Sequence, residues 1–168
     1  MDPMAKARLV ELKAFLKFLN DACGFNFHIH NFNDRIALQK YVFIAKQLGW
    51  DSNYSYSIYV RGPYSSDLAN DYYALQKIEI GDIDYKSALS SFDRERFFQI
   101  VAGKGVAWLE VAATILSIYI SNKTKMKTEE ARLFALERTK ELKRGYSPLF
   151  IDGVGSALQK TELINGTN

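Results

Sequence analysis

The residues that could do chemistry in this chain are few and scattered. His28 and His30 are the only histidines, and in "FHIHNF" they fall on one face of an extended segment, where two imidazoles can share a metal. No cysteine adjoins them. The carboxylates closest in sequence, Asp21 and Asp34, have no ligand spacing, so we expect no metal there. "GKG" at 103–105 lacks the upstream glycine of a phosphate loop, and Gly105 stands where that loop needs Ser or Thr. It reads as a helix break. Cys23 is the single cysteine, and nothing around it marks an activating environment. The acidic residues form no pair with catalytic spacing. The expectation is a protein that is not an enzyme and carries no cofactor. A weaker reading makes Ser65 or Cys23 a reactive group in a ligand-binding or hydrolytic site.

Two features remain. Lys123, Lys125, Lys127, Arg132 and Arg138 open a basic stretch that continues through Lys140, Lys143 and Arg144. Glu129, Glu130, Glu137 and Glu141 are interleaved with it. Such a pattern is first a solvated mixed-charge helix face, and second a patch for nucleic acid or an acidic partner. The other feature is aromatic. Tyr41, Phe43, Trp50, Tyr54, Tyr56, Tyr59, Tyr64, Tyr72 and Tyr73 crowd into 41–73, with Arg61 among them. Tyr and Arg are favoured at interfaces because they present large, rigid area with a polar tip. About half of these tyrosines are expected to roof the core instead.

Both features need a scaffold. At 168 residues, 48% hydrophobic and 24% charged, the chain suits one domain, 1–168, with a frayed tail from about 160 to 168. A net charge of +3 does not by itself announce a nucleic-acid binder. The lone cysteine fits a reducing compartment. "VAWLEVAATILSIYI" is too short to span a bilayer and carries Glu110, and the N-terminal stretch lacks the marks of a secretion signal. A cytoplasmic location is expected.

Periodicity supplies the elements. Asp2-Pro3 starts a helix over about 3–21, and Asn33 is expected to cap a second that Gly49 ends. In "NYSYSIYVRG", Tyr54, Tyr56, Ile58 and Val60 alternate with Ser55, Ser57, Tyr59 and Arg61, which predicts a half-buried strand with Tyr59 and Arg61 outward. Gly62-Pro63 is expected to break that strand, and Ser65 or Ser66 to cap a third helix with Asp67 in its first turn. The stretch 77–91 reads as a loop with a small strand. Helices follow at about 91–102 and 106–121, then one capped by Thr128, then a short one from Ser147-Pro148. The fold class is therefore α+β: a mostly α-helical single domain of six or seven helices, a small antiparallel sheet and a possible winged-helix-like core.

The joint between strand and helix carries a resemblance. "RIALQKYVFIAKQLGW", a Tyr-rich strand and "YVRGPYSSDL" are similar to the YwgA-like family of small prokaryotic proteins, through Leu38-Gln39-Lys40, Gly62-Pro63-Tyr64-Ser65 and Asp67-Leu68. "WLEVAATI" at 108–115 resembles that family's Leu-Glu-aliphatic helix. More remotely, the chain resembles the Panacea (SocA-like) antitoxin domain. The resemblance implies an interaction module that neutralises a partner toxin by binding it.

On this reading Tyr59, Arg61, Gly62, Pro63, Tyr64, Ser65 and Asp67 shape a protein contact, with Tyr59 and Tyr64 walling a cleft at an open helix N-terminus. The expected partner is a protein, and both a co-encoded toxin and a homodimer fit. The alternative is a winged-helix-like nucleic-acid-binding regulator using 123–144. No membrane contact is expected.

Overall fold

The computed structural model describes residues 1–165. It is mostly helical, with eight α-helices and one two-stranded antiparallel sheet. In chain order these are α1 (Pro3–Cys23), α2 (Phe32–Lys46), β1 (Ser57–Tyr59), β2 (Gly62–Tyr64), α3 (Ser66–Ala74), α4 (Tyr85–Ala88), α5 (Arg94–Val101), α6 (Val106–Asn122), α7 (Thr128–Leu142) and α8 (Pro148–Lys160). The α+β class expected from the sequence is the one observed.

The most apolar helix is central. From Leu109 to Leu116 every residue of α6 is buried, and it packs against α2, α7, α8 and β2. Its partner α2 is buried continuously from Ile36 to Ala45, wider than one amphipathic stripe. On the far side, α1 packs on α3, α4 and α5, and its Phe15 and Phe18 meet Phe92 and Phe97 with ring centroids 5.7–5.9 Å apart. A turn of backbone around Gly103, at φ +72, lets α5 and α6 meet at 118°. Among the described residues no single helix is long and apolar enough to cross a membrane.

Several boundaries differ from expectation. Asn31, not Asn33, caps α2, its side chain accepting from the Asp34 amide at 3.2 Å. Thr128 is the first residue of α7 rather than its cap. The stretch 77–91 contains no strand; it holds the short α4, capped by Asp84. The tail expected to fray from 160 is anchored: Arg96 donates to the Thr161 carbonyl at 2.6 Å, and Ile164 is fully buried. The remainder of that expected tail, 166–168, lies outside the described residues.

The largest correction concerns the strand. Gly62-Pro63 does not break it but begins its partner. Tyr59 pairs with Gly62, Ile58 with Pro63 and Ser57 with Tyr64, so Val60-Arg61 is the tip of a hairpin. Neither tip residue has a positive φ; the positive φ falls on Gly62, at +93, as in a type I turn closed by a glycine. Pro63 is tolerated because each strand of a two-stranded sheet is an edge. The expected inward face is only half right. Tyr54 is fully buried, but Ile58 and Val60 are exposed, because the chain leaves the core at the hairpin. Of the winged-helix expectation the structure contains a hairpin, seated between α2 and α6.

Candidate functional site

The hairpin is held from below by α2. Gln39 is buried and reads both backbone groups of Ser65: its Nε2 donates to the Ser65 carbonyl, and the Ser65 amide donates to its Oε1, each at 2.9 Å. One residue on, the buried Lys40 donates to the Pro63 carbonyl at 2.7 Å. The Leu38-Gln39-Lys40 and Gly62-Pro63-Tyr64-Ser65 segments are thus two halves of one clasp.

A second lysine holds the tip. Lys143, at the end of α7, donates to the Val60 carbonyl at 2.7 Å and to Glu110 Oε1 at 2.8 Å. Both side chains of that ion pair are buried. Tyr146 donates to Glu110 Oε2 at 3.0 Å, and Arg61 approaches the same oxygen at 3.9 Å. Glu110, read from sequence as a charge that argued against a membrane span and as part of the Leu-Glu-aliphatic resemblance, is the anchor of this network. Its place in a helix of otherwise apolar residues was the signal.

The residues named from sequence separate into two groups. Gly62, Pro63 and Ser65 are buried and build the joint. A Cβ on Gly62 would lie 2.6 Å from Thr114 Oγ1, so β2 runs close against α6. Ser65 is the helix cap: its hydroxyl accepts from the Leu68 amide at 3.3 Å, while Gln39 takes its backbone. The N-terminus of α3 is therefore occupied by its own cap rather than open. Tyr59 and Arg61 are exposed, as expected, and Tyr64 and Asp67 are half-buried. Tyr59 and Tyr64 meet edge to face, with centroids 5.4 Å apart.

Beside the clasp is a cavity of about 200 Å³ between α2, the hairpin and α3. Phe32, Tyr64, Tyr72 and Tyr73 supply its aromatic lining; Arg35, Lys40 and Arg61 supply charge. Among the described residues no carboxylate lines it. Burial pushes the Lys40 ammonium down to about 8, the nearby Glu110 carboxylate offsetting part of that effect. The Phe32 ring lies under two guanidinium groups, Arg61 at 5.2 Å and Arg35 at 5.7 Å.

The other candidates sit elsewhere. His28 is exposed, and its ring and its amide both engage Asp34, at 3.2 and 2.8 Å, which ties the loop to the start of α2. Among the described residues no three His, Cys, Asp or Glu side chains gather as a metal site would require. Cys23 is half-buried, and burial raises its thiol pKa. On α7 the basic residues mostly face acids one turn away: Arg132 pairs with Glu129, Arg138 with Glu141 at 2.8 Å, and Lys140 with Glu137 at 3.0 Å. Lys123, Lys125 and Lys127 are exposed between α6 and α7.

No protein-family model, curated protein or solved structure matches this chain.

Proposed function

We propose that this chain is a non-enzymatic protein-binding module of antitoxin or adaptor type, which presents the hairpin tip to an acidic partner protein. The observation that carries the reading is the tip itself. Ile58, Tyr59 and Val60 are 51%, 60% and 91% exposed, a run of large apolar side chains standing in water. An isolated hairpin this short would not hold its shape. Here the Val60 carbonyl is held by Lys143 and the Pro63 carbonyl by Lys40, so the tip is fixed before any partner arrives. Arg35 and Arg61 stand beside it and favour a partner with carboxylates at its rim. The antitoxin class comes from the likeness of the two clasped segments to YwgA-like and Panacea domains.

The test is co-expression with each protein encoded next to this chain. One neighbour is expected to be toxic alone and harmless with the wild-type chain, and to co-purify with it. Val60→Asp is expected to abolish both effects with an unchanged melting temperature. Neighbours that neither bind nor need neutralising would overturn the reading.

A second reading is nucleic-acid binding through Lys123, Lys125 and Lys127, which are exposed and make no ion pair with a described residue. Duplex binding would then weaken steeply with salt, and its absence at low ionic strength would exclude it.

A further inference from the structure

The cavity beside the clasp holds a buried cation, Lys40, that protein docking on the tip does not use. Lys40 is the most buried cation lining it, with 2% of the residue exposed. An ammonium carries three donors, and the only acceptor within hydrogen-bond distance of Lys40 Nζ among the described residues is the Pro63 carbonyl. The obvious counter-charge is already engaged: Glu110 gives one oxygen to Lys143 and the other to Tyr146, and it forms no ion pair with Lys40. Three cations, Lys40, Lys143 and Arg61, thus lie near one buried carboxylate that pairs with only the last two, and Arg35 adds a fourth cation at the cavity wall. A buried positive charge with spare donors calls for an anion.

The walls restrict what that anion can be attached to. Phe32, Tyr64, Tyr72 and Tyr73 offer ring faces and edges. An apolar cavity of about 150 Å³ is enough to hold benzene. A space of about 200 Å³ therefore suits one ring with one small polar substituent, and is too small to enclose a nucleotide. One ammonium with two free donors, beside the planar fork of Arg61, matches a planar monoanion.

We propose that this cavity binds a small aromatic carboxylate, with the carboxylate on Lys40 and Arg61 and the ring between Tyr64, Tyr72 and Phe32. The site shares Arg61 with the partner-protein reading but does not need that reading to be correct.

Benzoate is the probe, titrated into the full chain with lysine and tyrosine side chains observed by NMR. With so few atoms it is expected to bind at about the millimolar level. Shifts should concentrate at Lys40, Tyr64 and Tyr72. Benzamide, the neutral isostere, should bind at least about tenfold more weakly, because it lacks the charge. Lys40→Met should remove benzoate binding. Arg61 is half-exposed, so Arg61→Gln is expected to fold normally and to weaken benzoate several-fold without changing benzamide. This second variant keeps the test decisive should Lys40→Met fail to fold. Absence of benzoate binding, equal binding of benzamide, or shifts that map away from Lys40 and Tyr64 would overturn the proposal.

Discussion

Gln39 satisfies both backbone polar groups of Ser65, donating to its carbonyl and accepting from its amide at 2.9 Å each. A single side chain thereby does for the residue that follows β2 what a neighbouring strand would do. All the atoms involved are buried, so neither Ser65 group has water as a substitute partner. Gln39→Leu leaves the Ser65 amide unpaired, while the Ser65 carbonyl keeps the bond it accepts from the Ala69 amide at 3.1 Å. It is expected to cost about 1–3 kcal/mol in urea unfolding, from one unpaired buried group. A loss below about 0.5 kcal/mol would mean that Ser65 finds other partners.

Gly62 is constrained twice. Its φ of +93 disfavours any side chain, and a Cβ there would meet Thr114 Oγ1 at 2.6 Å. Gly62→Ala should destabilise by about 2–4 kcal/mol, strain and overpacking together. Pairing it with Thr114→Ala should recover only the steric part, leaving the backbone strain. Full recovery in the double variant would show that φ carries no cost.

Lys40 should titrate near 8 rather than at the ordinary lysine value of 10.5. The groups that face it are Glu110 from α6, Lys143 from the end of α7, Arg61 from the hairpin and Arg35 from its own helix. Folding disfavours its proton, so the unfolded chain binds more protons between pH 8 and 10.5, and the Lys40 contribution to stability rises with pH across that window. Below pH 8 its cost is complete and constant. NMR of the lysine ε-carbons gives the midpoint directly, and Lys40→Met should remove the rise. A Lys40 midpoint near 10.5 would contradict the buried geometry.

Lys143→Met leaves Glu110 buried without its cation and releases the Val60 carbonyl. A loss of about 3–5 kcal/mol is expected, as for other broken buried pairs. The loss should be localised: amide exchange should accelerate at 57–64 before the core of α6. Removing a surface cation is the contrast. Arg138→Ala breaks an exposed pair with Glu141 and should change stability by less than about 0.5 kcal/mol.

Much of the helical frame was legible because periodicity and caps are local signals. Pro3, Ser65 and Pro148 sit where capping rules put them, and Ser147 caps α8 through the Phe150 amide. The hairpin was not legible, because Gly-Pro usually ends a strand, and only contact with α2 and α6 makes it start one. Ile58 and Val60 extended an alternating pattern whose first members, Tyr54 and Tyr56, do face inward; where that face leaves the core is a tertiary fact. Arg61 and Tyr64 were found as part of the joint. Lys40 was named only within the Leu38-Gln39-Lys40 resemblance and Lys143 only within the basic stretch; their burial was missed, since a buried lysine looks in sequence like any solvated one. Only the apolar neighbours of Lys40, Leu38 and Val42, hinted that its helix face was covered.

The two lysine clamps have a practical consequence. They grip main-chain carbonyls and make no hydrogen bond to the side chains of residues 58–60. Residues 58–60 can therefore be exchanged as a cassette, while Arg61 stays with the mount because it reaches Glu110 and the Phe32 ring. A chain built this way can change what it recognises by altering a few codons at the tip. The same property makes it a ready graft site for displaying short foreign loops.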